Sequence, residues 1–234
     1  MKKTVLVTGA SRGIGAAIAL KLAKEGWRLV LAARDIVKLE EVKAECEKCG
    51  AEVVSFPVDV SNESEVVELF SKAAPVDLLV NNAGVGIFGA LTDVALEEWR
   101  QVQRINVEGA FLCLREAMRG MKERGGGRII NISSVVGVKG YSSQGAYGAS
   151  KHALLGMTKT AIEEGRDFNI RVHAICPGGV ATDMVKQSRP DLSDFSAMIQ
   201  PEDVAETVAY LCRLPSNITV DVIHLRRAAS DQSW

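Results

Sequence analysis

Residues 4–15 read TVLVTGASRGIG and combine a short apolar run with a glycine-rich turn. Thr4–Thr8 is apolar and rich in β-branched residues, which predicts a buried strand of a parallel sheet. Apolar residues at Ile18, Leu20 and Leu22 then predict a helix. Such a turn suits a phosphate, because helix N-terminal amides bind anions and glycines let the backbone approach them. The alternative is an ordinary glycine turn, since the spacing is G-x-x-x-G-x-G and not G-x-G-x-x-G.

A second informative stretch is YGASK at residues 147–151, with Ser134 preceding it. On a helix, Tyr147 and Lys151 would lie one turn apart on the same face. A phenol with a pKa near ~10 keeps its proton at pH 7, and a nearby ammonium is expected to lower that pKa. The pair would then be suited to transfer a proton to or from a substrate oxygen. In isolation this spacing is more typical of a solvated helix face.

These motifs stand in a fixed order with several others. The matching stretches are TGASRGIG at 8–15, Asp59-Val60, NNAG at 81–84, Asn106, Ser134, Tyr147 with Lys151, and Pro177-Gly178. From residue 4 to about residue 184 the chain resembles the short-chain dehydrogenase/reductase family. The resemblance implies an α/β fold of the extended Rossmann type, with a doubly wound parallel sheet of about seven strands in the order 3-2-1-4-5-6-7.

The alternation of predicted strands and helices agrees with such a sheet. After the first strand, strands are predicted at Arg28–Ala33, Glu52–Pro57, Asp77–Asn81, Arg128–Ile132, Arg171–Ile175 and Thr219–Leu225. Helices are predicted at Ile36–Glu47, Glu63–Ala73, Leu96–Lys122, Ala146–Arg166 and Pro201–Arg213. No internal repeat or linker interrupts this pattern, so residues 1–234 are expected to form a single domain.

The resemblance implies a catalytic set of Asn106, Ser134, Tyr147 and Lys151. Tyr147 would exchange a proton with the carbonyl or alcohol oxygen during hydride transfer. Lys151 would lower the pKa of Tyr147 and bind the nicotinamide ribose, and Ser134 would donate to the oxygen on which charge develops. Asn106 would anchor a water relay to the lysine. The alternatives are a strand-end turn for Ser134 and a helix cap or kink for Asn106.

The resemblance also implies a set of cofactor-binding residues. Asp59 would bind the adenine amino group with Val60 beside it, and residues 82–84 would support the adenine ribose. The loop that begins at Pro177 would meet the carboxamide, although Pro-Gly is also a common turn. The expected set is Gly9, Ser11, Arg12, Gly13, Ile14, Gly15, Arg34, Asp59, Val60, Asn82, Ala83, Gly84, Tyr147, Lys151, Pro177, Gly178, Val180 and Thr182.

The end of the second predicted strand indicates the choice of cofactor. A carboxylate at that point binds a free 2′-hydroxyl and repels a 2′-phosphate, whereas an arginine does the reverse. Aligned from Thr8, the position falls on Ala33 with Arg34 next, so NADP(H) is favoured over NAD(H). Asp35 also fits the usual spacing from the glycine turn, but it is expected to be the N-cap of the following helix.

Composition narrows the class of protein further. The 234 residues are 47% hydrophobic, enough for the core of one α/β domain. A net charge of −1 indicates neither nucleic-acid nor anionic-membrane binding, and no apolar stretch reaches transmembrane length. Five cysteines favour a reducing compartment, hence the cytoplasm. Cys46-x-x-Cys49 has the spacing of a redox or zinc pair but has no second pair, so no metal site is predicted.

The substrate is expected to be a carbonyl compound or a secondary alcohol. Its site would be lined by Val85 to Phe88, Val135 to Tyr141, Gln144 and Thr182–Met198, with Tyr141 and Phe195 as candidate walls. Residues 220–227 read VDVIHLRR, where ketoacyl reductases of fatty-acid synthesis have a glycine-rich ending. This favours a small hydroxy acid or carbonyl, with a 3-ketoacyl-thioester (acyl-carrier-protein) reductase as the alternative. A cofactor-binding regulatory protein without turnover is the alternative of another class.

A homo-oligomer, either dimer or tetramer, is expected mainly from the family resemblance. The contact would use the two long helices predicted at Leu96–Lys122 and Ala146–Arg166. These helices have apolar residues beyond a sheet-facing stripe. They are Phe111, Leu114, Leu154, Leu155 and Met157. The alternative is that all five face the sheet.

Overall fold

The computed structural model describes residues 2–188, 194–215 and 217–228. In these residues seven strands form one parallel sheet in the order β3-β2-β1-β4-β5-β6-β7. The strands are β1 (Thr4–Thr8), β2 (Arg28–Ala33), β3 (Val53–Pro57), β4 (Leu78–Asn81), β5 (Gly127–Ile132), β6 (Ile170–Pro177) and β7 (Val222–Leu225). The predicted fold class and strand order are confirmed.

Helices connect the strands and cover both faces of the sheet. They are α1 (Gly13–Lys24), α2 (Ile36–Lys48), α3 (Glu63–Ala73), α4 (Leu96–Gln103), α5 (Ala110–Arg124), α6 (Gly145–Gly165), α7 (Asp183–Ser188) and α8 (Pro201–Arg213). Helices α1, α2 and α8 pack on one face, and α3, α5 and α6 on the other. Because both faces are covered, Val5, Leu6 and Val7 of β1 are all fully buried. This explains why the strand reads as an unbroken apolar run.

The prediction of one continuous helix at Leu96–Lys122 is wrong in the middle of that range. A π-helical segment, Arg104–Gly109, separates α4 from α5. The wider turn brings Asn106 into the interior and places Gly109 against Val60, where an added Cβ would lie 2.7 Å from Val60 Cγ2. Asn106 therefore lies where the backbone departs from α-helical geometry. Helix α7 was also missing from the predicted set.

The prediction that apolar residues of the two long helices form an oligomer contact needs correction. Leu114, Leu154 and Leu155 are buried within the single chain, because α5 and α6 pack on the sheet and on each other. Met157 is partly buried against the same core, and only Phe111 is exposed. The argument for an oligomer from these positions is therefore wrong for the three leucines.

The cysteines form no pair in the fold. All five are free; Cys46 is buried, and burial raises its pKa to about 11, while Cys49 is exposed. Within the described residues, no three His, Cys, Asp or Glu side chains gather in a way that could hold a metal ion. A helix able to cross a membrane is likewise missing from this part of the chain.

Candidate active site

The four predicted catalytic residues meet at the carboxyl edge of the sheet. Ser134 follows β5, and its hydroxyl donates to the carbonyl of Pro177 at 3.2 Å, at the end of β6. Tyr147 and Lys151 lie one turn apart on α6, with Lys151 Nζ 5.6 Å from the centre of the tyrosine ring. Asn106 reaches the same helix from the π-helical segment. The sequence therefore identified residues that the fold gathers in one place.

Burial is the main influence on the pKa of Tyr147. It raises the pKa of the phenol to about 12, and a hydrogen bond with Ser134 only partly opposes this rise. The ring of Phe88 lies 5.7 Å away, centre to centre, and contributes to the apolar surroundings. The expected lowering of this pKa by Lys151 is not found, because burial outweighs the other influences. Tyr147 thus holds its proton at neutral pH, as a proton donor must.

Lys151 is a buried cation. Only 5% of its surface is exposed, and burial lowers its pKa from 10.5 to about 8. Its ammonium donates to the carbonyl of Ile132 at 2.9 Å, which holds it at the end of β5, over the ring of Tyr147. A lysine with this pKa releases a proton more readily than a solvated one and can supply a proton within the site.

Asn106 ties three parts of the chain together. Its Oδ1 accepts from the amide of Val85 at 2.8 Å, and its Nδ2 donates to the carbonyl of Val85 at 2.8 Å. The same Nδ2 donates to Ser150 Oγ at 3.0 Å, next to Lys151. The side chain is 1% exposed. Asn106 therefore holds the loop after β4 against the helix that carries the tyrosine and the lysine.

We expect Asn106→Ala to lower the free energy of unfolding by about 1–3 kcal/mol, because it leaves the partly buried amide and carbonyl of Val85 unpaired. Ser150→Ala is the matched control, since it removes only one of the partners of Asn106 and is expected to cost less. Denaturant unfolding of both variants measures the difference. An Asn106→Ala variant no less stable than Ser150→Ala would contradict this role.

The glycine turn forms a cradle between β1 and α1. Gly9 has a φ of +65°, and a Cβ on Gly15 would lie 2.2 Å from the carbonyl oxygen of Gly9. Asn82 Nδ2 donates to that oxygen at 3.2 Å and keeps the turn closed. Arg12 is the N-cap of α1 and makes no side-chain cap, so the first amides of the helix remain available to a ligand. Backbone amides and a helix N-terminus fit an anionic diphosphate.

The other predicted cofactor-binding residues of the glycine turn lie next to this cradle. Ser11 lies in the turn, and Gly13 and Ile14 begin α1. The amide of Ala83 donates to Thr8 Oγ1 at 3.0 Å, so the segment after β4 is tied to the end of β1. A Cβ on Gly84, the next residue, would lie 3.2 Å from Asn106 Oδ1, which connects the cradle to the catalytic group.

The end of β2 is as the sequence predicted. Ala33 is the last residue of the strand and is buried, and Arg34 is exposed. Asp35 is the N-cap of α2, and its side chain accepts from the amide of Lys38 at 3.2 Å. The carboxylate of Asp35 is therefore engaged by its own helix, and Arg34 is the charged residue that directly follows the strand.

Asp59 lies near Arg34 in the groove beyond β3. Burial alone would raise the pKa of Asp59, but hydrogen bonds from Ser61 and the charges of Arg34 and Arg104 lower it below its usual value. Its Oδ1 accepts from the amide of Ser61 at 3.0 Å and from the hydroxyl at 2.8 Å. Val60 beside it is buried. Asp59 is thus an oriented carboxylate that can accept from an amino group.

The loop after β6 closes the groove from the opposite side. The amide of Gly178 donates to the carbonyl of Leu225 at 2.8 Å, and Thr182 Oγ1 donates to that of Val180 at 3.3 Å. A Cβ on Gly13 would lie 3.3 Å from Thr182 Cγ2, so this loop lies against the glycine turn. An exposed ion pair between Arg12 and Asp183, at 3.8 Å, also joins the two loops.

A cavity of about 280 Å³ lies beside Tyr147. Of the residues predicted to line the substrate site, it is lined by Phe88, Val135, Val136, Lys139, Tyr141, Gln144, Met184, Val185, Ser188 and Met198. Phe195 does not line it, and residues 189–193 of the predicted segment lie outside the described residues. Arg226 and Arg227 also line it, although sequence reasoning assigned them no role. The sequence feature that could have identified these two arginines is the pair of basic residues directly after the last predicted strand.

Comparison with known proteins gives a consistent result. The family model described as short chain dehydrogenase matches residues 3–193. A 3-oxoacyl-[acyl-carrier-protein] reductase from Synechocystis sp. is 37% identical over 223 residues, which are 92% of this chain and 90% of that protein. This name agrees with the alternative of a ketoacyl-thioester reductase better than with a small hydroxy acid.

Two solved structures share the architecture. An alcohol dehydrogenase from Thermococcus sibiricus, complexed with 5-hydroxy-NADP, has a TM-score of 0.91 and 31% identity and covers 100% of both chains. An actinorhodin polyketide ketoreductase variant with NADPH has a TM-score of 0.88 and 34% identity, over 97% of this chain and 96% of that one. Both are oxidoreductases by name, and both were solved with a nicotinamide cofactor or a derivative of one.

Proposed function

The chain belongs to the short-chain dehydrogenase family and is an oxidoreductase of that family; from this premise we propose that it interconverts a carbonyl and a secondary alcohol with NADP(H). The observation that carries the proposal is that Ser134 and Tyr147 line one cavity, with Lys151 Nζ 5.6 Å from the centre of the Tyr147 ring, beside a cradle suited to a diphosphate.

The mechanism follows from the protonation of these side chains. A bound NADPH would supply hydride to the carbonyl carbon. Tyr147, which holds its proton at neutral pH, donates that proton to the carbonyl oxygen. The hydroxyl of Ser134 donates to the same oxygen as negative charge develops on it. Lys151 would bind the nicotinamide ribose, and its lowered pKa of about 8 suits it to resupply the proton that Tyr147 gives up, through an intervening water.

The preference for NADP(H) is supported by the end of β2. Arg34 directly follows the strand, and no carboxylate is free at that point because Asp35 caps α2. A guanidinium at the 2′-position would form a charge-assisted contact with a phosphate that NADH does not have. The cofactors named for the two solved relatives agree with this choice.

Two substrate classes have support. The name of the Synechocystis relative favours a 3-oxoacyl thioester, which we take as the first class. A small hydroxy or oxo acid is the second, because residues 220–227 read VDVIHLRR where ketoacyl reductases of fatty-acid synthesis have a glycine-rich ending.

Steady-state oxidation of NADPH against aldehydes, ketones, oxo acids and 3-oxoacyl thioesters tests the proposed function. We expect turnover with at least one class of carbonyl compound. Cofactor binding without turnover of any of them would instead support a regulatory protein.

We also propose that the protein works in a reducing compartment such as the cytoplasm.

We propose in addition that the protein forms a dimer or tetramer through α4, α5 and α6. Phe111 on α5 and Leu96 on α4 expose 46% and 63% of their surface and are the apolar residues that support the contact. We expect light scattering at micromolar concentration to give at least twice the mass of one chain, and Phe111→Glu to weaken the assembly. A wild-type mass of one chain would contradict this expectation.

A further inference from the structure

Phe88 forms the part of the cavity wall that lies directly beside the proton donor. Its ring is 5.7 Å from that of Tyr147, centre to centre, and the two ring planes are inclined by 60°. Aromatic rings whose centres are about 4.5–7 Å apart are in contact, so no substrate group fits between these two. A substituent that extends from a carbonyl held at Tyr147 toward Phe88 must therefore end at the phenylalanine ring.

The ring of Phe88 packs closely over Gly86. A Cβ on Gly86 would lie 2.6 Å from Phe88 Cζ and 3.2 Å from the sulfur of Met184 on α7. The missing side chain of Gly86 therefore leaves the space that the tip of the ring occupies, and Met184 lies at the same point. Phe88 and Met184 both line the cavity, so the loop after β4 and helix α7 each contribute one apolar side chain to this end of it.

The backbone on either side of Phe88 is anchored. Asn106 holds Val85 through both its amide and its carbonyl, each at 2.8 Å. The amide of Gly89 donates to the carbonyl of Ser143 at 2.9 Å, just before α6 begins. The loop that carries Phe88 is thus tied at both ends to the part of the chain that carries the catalytic residues. A substrate cannot push the ring aside without breaking these hydrogen bonds.

The cavity is also small. Its volume is about 280 Å³, whereas ligand pockets typically measure about 300–1,000 Å³. In a hydrophobic pocket, one methylene more or less in the ligand typically changes kcat/KM by roughly 10–200-fold. A fixed aromatic wall in a small cavity therefore discriminates between substrates by the length of the group that meets it.

We propose that Phe88, supported by Gly86 and Met184, determines substrate size by limiting one substituent of the carbonyl to a short alkyl group. This inference rests on the proposed carbonyl–alcohol chemistry and adds a size limit to it. The substrate is then a carbonyl compound with one short apolar arm that ends at Phe88. Its second arm, which carries the rest of the molecule, extends away from this wall.

Two series of neutral 3-oxo esters test the proposal with NADPH. The first lengthens the ketone arm, from methyl 3-oxobutanoate through methyl 3-oxohexanoate to methyl 3-oxooctanoate. The second lengthens the ester arm, from methyl through butyl to hexyl 3-oxobutanoate. We expect wild-type kcat/KM to fall by roughly ten-fold or more along one series and much less along the other. The series that shows the fall identifies the arm that meets Phe88.

Variants of Phe88 locate the size limit. Phe88→Ala is expected to raise the ratio of kcat/KM for the longest member to that for the shortest by roughly 10–200-fold in that series. Phe88→Leu keeps an apolar side chain in the loop and is expected to raise the ratio less. Phe168→Ala is the matched control, because Phe168 contacts Lys122 in the turn after α6 and is not among the described residues that line the cavity. A ratio unchanged in both Phe88 variants, or a wild-type enzyme indifferent to length in both series, would overturn the proposal.

Calorimetric titration of the same esters in the presence of NADP⁺, which cannot reduce them, separates this inference from the proposed function. If no ester is reduced but binding weakens with length and Phe88→Ala relieves this weakening, the proposed function fails and the size limit stands. If the esters are reduced without regard to length, the size limit fails and the proposed function stands. Absence of both turnover and length-dependent binding overturns both.

Discussion

Tyr147→Phe is expected to lower kcat by roughly 10²–10⁴ while NADPH binding changes by no more than a few-fold. The substitution removes the hydroxyl that donates the proton and keeps the ring that packs 5.7 Å from Phe88. The glycine turn and the end of β2, which we expect to bind the cofactor, are untouched. Steady-state rates at saturating NADPH, together with a fluorescence titration of NADPH, measure the two quantities separately.

Tyr210→Phe serves as the control for this variant. Tyr210 lies on α8 with 48% of its surface exposed and is not among the described residues that line the cavity. Loss of its hydroxyl is expected to leave kcat unchanged. A Tyr147→Phe variant that kept more than a tenth of the wild-type kcat would show that another group is the proton donor.

The double change Ala33→Asp/Arg34→Ile is expected to reverse the cofactor preference from NADPH to NADH. Removal of the guanidinium loses a contact worth about 1.5–3 kcal/mol, or roughly ten- to a hundred-fold in preference. The new carboxylate repels the 2′-phosphate and offers the 2′-hydroxyl of NADH a partner. The measurement is kcat/KM for both cofactors with one substrate.

Asp35→Ala is the control for the cofactor experiment. The side chain of Asp35 caps α2 by accepting from the amide of Lys38, so its loss should cost about 1 kcal/mol of stability. The cofactor preference should stay nearly the same. A wild-type preference for NADH, or a large shift caused by Asp35→Ala alone, would show that Arg34 does not bind the 2′-phosphate.

The sequence predicted those parts of the protein that depend on local patterns. The apolar run of β1, the glycine turn and the end of β2 at Ala33 are set by residues close together in the chain. The N-cap at Asp35 is equally local, since a short acidic side chain before an amphipathic run is a common helix start. The motifs around Ser134 and Tyr147 were identified because the family resemblance gave them an order.

The features that the sequence did not predict depend on contacts between distant segments. The helical turn that contains Asn106 is widened to a π-helix where Gly109 packs against Val60. The apolar residues are spaced as in a helix both before and after this turn, so the sequence does not reveal the widening. The pKa of Tyr147 is governed by burial, which follows from the packing around the cavity. The place of Arg226 beside Gly178 follows from the pairing of β6 with β7, which no local motif reveals.

Isotope transfer tests the central claim most directly. NADPH labelled with deuterium at C4, prepared separately in each of the two stereochemical forms, is used to reduce the best substrate of the carbonyl panel. The proposed hydride transfer predicts that one form delivers a single deuterium to the carbinol carbon of the product, and that Tyr147→Phe slows this transfer as it lowers kcat. A product without deuterium from either form, or with deuterium taken from heavy water at that carbon, would contradict direct hydride transfer.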